Sequence, residues 1–181
     1  MKTIIELFET ANANYPDNVY LWEKQNGKYQ PTTYKETREQ VLKLAAGLVE
    51  MGFKTGDRSG LVSDGRNDWI ISELGMLYAG GINVPLSIRL QEKELTFRLQ
   101  HSGSKYIFVS EIHASKVEDI RNELPELEKV IYIDGKENPG ENDIDYKTLL
   151  KKGAKLRDSN PEEFDAVWEN IQPNDVANIS Y

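Results

Sequence analysis

The sequence predicts an α/β fold in which a mainly parallel sheet is flanked by helices. Three observations carry this prediction. Between residues 58 and 133, short strand-like runs alternate with helical segments through short links, as in a parallel sheet with crossover helices. Two Thr-x-x-Glu capping boxes, Thr3 with Glu6 and Thr33 with Glu36, each announce a helix. Val41, Leu44, Ala45 and Leu48 stand at i, i+3, i+4 and i+7, so one stripe of the second helix faces a core.

Thr3 opens a short helix with Ile4, Leu7 and Phe8 on one face. Val19 to Glu23 and Lys28 to Gln30 flank Gln25-Asn26-Gly27, and Asn-Gly between such runs marks a hairpin. The helix after Thr33 stops at Gly52. Gly56-Asp57 turns the chain into a strand around Leu61 and Val62. Trp69 to Tyr78 is apolar on nearly every side, the mark of a helix covered on more than one face, and Gly80-Gly81 ends it before a strand over Ile82 to Leu86. A helix from Glu92 to His101, closed by Gly103, precedes a strand from Lys105 to Val109. A helix from Ile112 to Leu124 and a strand from Lys129 to Ile133 complete the alternation. Gly135 to Asp145 reads as a solvated acidic loop and Tyr146 to Lys155 as a helix. Asn160-Pro161-Glu162-Glu163 opens another, with Asn as N-cap, Pro at the first position and acids at the positive end of the dipole. Asp175 to Tyr181 reads as a final strand in which Ala177, Ile179 and Tyr181 alternate.

Composition narrows the function classes. Thirty acidic residues against 22 Lys and Arg give a formal charge of −8, which disfavours broad nucleic-acid or anionic-membrane binding because both need a positive field. A basic site for one small phosphate ligand remains open. With no cysteine there is no disulfide, thiolate zinc site or cysteine nucleophile, and the expected address is cytoplasmic. Residues 1–14 lack the pattern of a signal peptide because Glu6 and Glu9 break the apolar run, and no stretch has the length of a membrane span.

Residues that carry chemistry elsewhere have plainer readings here. No phosphate-loop or dinucleotide glycine motif occurs, and Gly80-Gly81 is a helix stop. Glu141, Asp143 and Asp145 lack the offsets of a calcium loop. His101 caps the negative end of a helix, whereas His113 is expected to be exposed. Trp22, Trp69 and Trp168 are read as core packing, and Lys151, Lys152 and Lys155 as a solvated face. No catalytic residue and no metal ligand is singled out. Taken alone, these readings reach a soluble α/β domain.

One stretch goes further. Gly52-Phe53-Lys54-Thr55-Gly56-Asp57-Arg58 is followed by Ser63-Asp64-Gly65-Arg66-Asn67-Asp68-Trp69, then by Tyr78-Ala79-Gly80-Gly81-Ile82-Asn83-Val84-Pro85-Leu86, Glu94-Leu95 and His101-Ser102-Gly103-Ser104-Lys105. In order and spacing these resemble the early part of the AMP-forming acyl-CoA synthetases, within the adenylate-forming superfamily. Thr33-Tyr34 with Leu44-Ala45-Ala46-Gly47-Leu48, and Asp175-Val176-Ala177-Asn178-Ile179-Ser180-Tyr181, resemble the family's flanking segments, so the likeness spans essentially the whole chain. Ser59-Gly60, Gly65 and Asn67 depart from the family's usual residues. The Trp69 helix and Val84-Pro85-Leu86-Ser87 look most like the long-chain fatty-acid branch.

The resemblance implies that residues 1–181 are the first part of the large N-terminal domain of an adenylate-forming enzyme, cut just before its phosphate-binding loop. It implies a ligase that joins a fatty acid to coenzyme A through an acyl-adenylate, using ATP and Mg²⁺, with at most peripheral membrane contact. The groups that stabilise the charge of the reaction would lie beyond Tyr181, so the 181-residue piece is expected to be inactive and to bind no cofactor tightly. Arg89 falls where some members carry an Arg that meets the 3′-phosphate of coenzyme A; the other reading is a surface Arg before a helix. Two alternatives stay open: a peptide-synthetase adenylation domain and a non-catalytic interaction domain of the same fold. A nucleotide-binding regulator would need a phosphate loop that the sequence lacks. An exposed edge near Ile179 is expected to allow self-association.

Overall fold

A computed structural model describes residues 2–181. Helix α1 spans Ile4–Asn14 behind the expected capping box, in which Glu6 N donates to Thr3 Oγ1 (3.0 Å) and Thr3 N to Glu6 Oε2 (2.7 Å). Its buried face differs from the expected one. Ile5 and Phe8 are buried, whereas Ile4 and Leu7 are 49% and 56% exposed. One residue is a rotation of about 100° on a helix, and Phe8 fixes the rotation by packing against the rings of Tyr20, Tyr34 and Tyr78.

Strands β1 (Val19–Gln25) and β2 (Lys28–Thr33) form the hairpin, with positive φ at both Asn26 (50°) and Gly27 (79°). That pair of angles matches the strands' twist and explains the Asn-Gly choice. Trp22 pairs with Pro31 and is 59% exposed, so it is not core as its apolar character suggested. Trp69 and Trp168 do pack against the core. Helix α2 (Tyr34–Glu50) carries the second capping box and buries Val41, Leu44, Ala45 and Leu48 completely.

The alternating half comes next: β3 (Arg58–Val62), α3 (Asn67–Tyr78), β4 (Ile82–Pro85), α4 (Glu92–Ser102), β5 (Ser104–Val109), α5 (Glu111–Ile120) with a 3₁₀ turn over Arg121–Glu123, and β6 (Lys129–Tyr132). A short strand β7 (Ile144–Asp145) adds to β6, then come α6 (Tyr146–Ser159) and α7 (Pro161–Trp168). The sheet order is β4-β3-β5-β6-β7 with every pair parallel. Alternating residues divide two cores. Leu61, Phe108 and Ile131 face α1, α2, α3, α6 and α7; Val62, Ile107, Val109 and Val130 face α4 and α5. Covered on both faces, the central strands are apolar on consecutive residues, Leu61-Val62, Tyr106-Ile107-Phe108-Val109 and Val130-Ile131-Tyr132, as buried parallel strands require.

Four further expectations are corrected. The acidic loop is not simply solvated: Asp143 is tucked in, accepts from Arg121 Nη1 (2.9 Å) and Val130 N (2.9 Å), and Asp145 caps α6 through Thr148 N (3.0 Å). Those bonds pull 143–145 alongside β6 and create β7. Asn160 does not cap α7 with an accepting side chain; its Nδ2 donates to Glu163 Oε2 (2.9 Å) while its N–H closes α6 on Leu156 O (2.7 Å). His113 is not exposed: its side chain is 12% accessible. Residues 175–181 form one bridge rather than a strand. Asn83 N donates to Ala177 O (3.0 Å) and Ile179 N to Asn83 O (2.9 Å). The next rung would need an N–H from Pro85, which has none. Among the described residues no helix is long and apolar enough to cross a membrane.

Candidate functional site at the carboxyl edge of the sheet

In an open parallel sheet, ligands sit outside the carboxyl ends of the strands, where neighbouring strands send their connections to opposite faces. Here that place lies between β3 and β5. The chain leaves β3 for α3 on one face and leaves β5 for α5 on the other. The segments that meet there are the loop 63–66 after β3, Ser110 with the first turn of α5 after β5, and residues 133–134 after β6, with 86–91 after β4 beside them.

An ion-paired web braces these loops. Arg66 Nη1 donates to Asp134 Oδ1 (2.5 Å), and Arg66 Nη2 lies 3.4 Å from Asp68. Asp134 Oδ2 accepts from Glu111 N (2.8 Å), at the positive end of α5. Burial works against the charge of Asp134, but the Glu111 N–H and the Arg66 guanidinium outweigh it and hold the carboxyl below its usual range. The same competition at Arg66 ends with its pKa raised, burial being overcome by Asp134. Asp68, more deeply set, is pushed up by burial despite Arg66. His113 Nε2 is 3.6 Å from Asp64 Oδ1, too long for a hydrogen bond. Ser110 Oγ and His113 Nε2 are buried without a hydrogen-bond partner among the described residues.

Arg89, the one residue the sequence put forward for a cofactor, stands on the loop after β4 and is exposed. Its side chain forms no ion pair among the described residues. The backbone around it is fastened. Lys116 Nζ donates to Ile88 O (2.9 Å) and Leu90 O (3.4 Å), and Arg89 N donates to Ser87 Oγ (3.3 Å). A free guanidinium on a tied loop can meet a phosphate in a forked, charge-assisted geometry at little ordering cost. Sequence reasoning missed Lys116, because a lysine on the second turn of a helix gives no sign that its ammonium will bind a distant loop.

The other weighed residues lie apart. His101 is on the last turn of α4, as expected, and its Nδ1 is 2.8 Å from the Tyr181 hydroxyl. Gly80-Gly81 packs against Thr55 and Phe53, where α3 ends and β4 begins. Lys151, Lys152 and Lys155 are exposed on α6. Glu111, Glu118, Asp134 and Asp145, with Lys136 among them, line an open groove of about 780 Å³ beside α5. Its acidity makes it a poor phosphate site.

The profile of a family described as AMP-binding enzyme matches residues 8–181. The long-chain-fatty-acid–CoA ligase FadD15 of Mycobacterium bovis is 28% identical over 167 residues, which is 92% of this chain and 26% of that protein. A plipastatin synthase polypeptide of Bacillus subtilis is 31% identical over 137 residues, 76% of this chain and 5% of that protein. The chain spans about a quarter of the length of the CoA ligases it matches. Among solved structures, coronafacic acid ligase from Pectobacterium brasiliense superposes with a TM-score of 0.81 at 21% identity, covering 97% of this chain and 33% of that one. At that identity the likeness shows the fold.

Proposed function

The chain belongs to the family of AMP-binding enzymes, and from that premise we propose that residues 1–181 are the leading part of the large N-terminal domain of an AMP-forming long-chain fatty-acid–CoA ligase. The whole enzyme joins a fatty acid carboxylate to the α-phosphate of ATP, releasing pyrophosphate. It then passes the acyl group to the thiol of coenzyme A with loss of AMP. The observation that carries this reading is the family match over 8–181, supported by a relative named as a long-chain ligase that aligns along 92% of the chain.

Within the reaction, the described residues bind and position. The carboxyl edge of the sheet supplies one wall of the substrate region, and the web of Arg66, Asp134 and Asp68 keeps its loops in place. Arg89 holds the 3′-phosphate of coenzyme A. On this reading the groups that surround the ATP phosphates and Mg²⁺ come after Tyr181, because stabilising the charge of adenylation needs oriented N–H groups and hydroxyls around those phosphates.

The similarity to the plipastatin synthase polypeptide favours a second reading, an adenylation domain that activates amino acids. ATP–pyrophosphate exchange by the full-length protein separates the two. Exchange driven by long-chain fatty acids supports the ligase, and exchange driven by amino acids alone supports the second reading. No exchange with either overturns both. The 181-residue chain by itself should form no acyl-adenylate, and measurable formation would show that the charge-stabilising groups lie within it.

A further inference from the structure

We propose that His101 is a positioning residue: with Arg98 it clamps the Tyr181 ring against α4 and so fixes where the chain after residue 181 begins. The proposal goes beyond the ligase reading in assigning a role to His101, and rests on that reading only for the segment C-terminal to Tyr181.

The segment 175–181 has little backbone to hold it. It makes the single parallel bridge at Asn83, and Pro85 prevents a second rung. Ala177 and Ile179 pack against opposite cores, whereas a regular strand would place residues two apart on one face, so backbone regularity does not hold the segment either. Side chains on α4 complete the attachment. His101 Nδ1 lies 2.8 Å from the Tyr181 hydroxyl, and the two rings meet edge to face with centroids 5.7 Å apart. The Arg98 guanidinium stands 5.7 Å from the centre of the Tyr181 ring, within cation–π range, and the Tyr181 hydroxyl reaches the Arg98 carbonyl at 3.3 Å. Phe97 stacks on the His101 imidazole at 5.5 Å and holds its orientation.

The bond also tolerates either charge state of the histidine. A neutral imidazole with its proton on Nε2 accepts the phenol proton at Nδ1. A protonated imidazole donates from Nδ1 to the phenol oxygen, whose own proton then turns to the Arg98 carbonyl. Both residues are in segments that the sequence marked for other reasons, His101 as a helix-end cation and Tyr181 as part of an alternating strand.

The test has two stages. In the 181-residue protein, amide exchange at Ile179, whose N–H is bonded to Asn83, reports attachment of the segment. His101→Ala should speed that exchange by about tenfold, the loss of roughly one hydrogen bond. His101→Asn, whose Oδ1 can accept near the place of Nδ1, should restore it. Unchanged exchange in His101→Ala, or no rescue by Asn, overturns the clamp. In the full-length enzyme, His101→Ala should raise the KM for MgATP by about tenfold and leave the KM for coenzyme A unchanged, with rescue again by Asn. An unmoved KM for MgATP overturns the positioning role even where exchange has quickened. A wild-type full-length protein that makes no acyl-adenylate overturns the ligase reading instead, and leaves the clamp to stand or fall on exchange.

Discussion

The seam between α2 and α6 and the carboxyl edge of the sheet are built on opposite principles. At the seam the two helices touch backbone to backbone, because Gly47 faces Leu149 and Gly153 faces the Lys43 carbonyl with no room for a Cβ at either. Charge is confined to its rim, where Arg157 Nη1 on α6 donates to Glu39 Oε1 on α2 (3.1 Å), and Leu44, Leu48 and Leu149 are fully buried inside it. At the edge, loops are held by Arg66, Asp134 and Lys116, three buried polar atoms (Arg66 Nε, Ser110 Oγ and His113 Nε2) lack partners among the described residues, and Arg89 is exposed. Each kind of residue is therefore replaceable in a different place. The seam tolerates no added atom, while the edge tolerates substitutions but depends on charge.

The most severe test of this contrast is Gly153→Ala. A Cβ at this position collides with the backbone of Lys43 and Gly47, which cannot rotate away as a side chain would. The helices must separate, so we expect a loss of about 3 kcal/mol in urea denaturation, at the upper end for overpacking. A loss well under about 1 kcal/mol would mean that the seam is plastic.

The second prediction concerns the edge. Asp134 has its pKa depressed in the folded chain, so it stabilises the fold above the ordinary aspartate value, and this contribution is lost as pH falls through the folded value. Asp134→Asn should therefore cost about 1 kcal/mol at pH 7, a charge-assisted bond discounted for its partial exposure. The gap between the two proteins should begin to shrink as pH falls below about 4, where the unfolded carboxyl takes up its proton, and close only below the lower value of the folded one. Urea midpoints at about pH 7 and about pH 3, on either side of the ordinary aspartate value, check this. An equal gap at both pH values would show that shape, not charge, joins the loops.

The same contrast decides how much of each region was legible. Both capping boxes, the Asn-Gly turn, the α2 stripe and the strand–helix alternation were readable because each is local or periodic. The rotation of α1 was not, since the choice between Ile4 and Ile5 is made by the Tyr20, Tyr34 and Tyr78 rings, brought together only by the fold. Gly153 stands among lysines with nothing in the sequence to mark it, and only the close approach of α2 gives it meaning. β7 and the shortened 175–181 segment escaped for a related reason: one depends on Arg121 reaching Asp143, the other on Pro85 facing the segment. At the edge, Arg89 was marked by resemblance alone, whereas the pairing of Arg66 with Asp134 spans 68 positions and leaves no trace in spacing.

The smallest expected effect on stability belongs to Arg89, which makes its substitution the cleanest probe of the edge. An exposed side chain without an ion pair contributes within about 0.5 kcal/mol, so Arg89→Ala should leave the urea midpoint nearly unchanged. In the full-length enzyme the same change should raise the KM for coenzyme A by about tenfold while KM for the fatty acid and ATP stays put, since a guanidinium–phosphate contact made equally in ground and transition states alters binding rather than turnover. Dephospho-coenzyme A, lacking the 3′-phosphate, should bind both proteins alike. An unchanged KM for coenzyme A makes Arg89 a surface residue. A raised KM for both forms of the cofactor would mean that the loop, through Lys116 and Ser87, and not the guanidinium, meets the ligand.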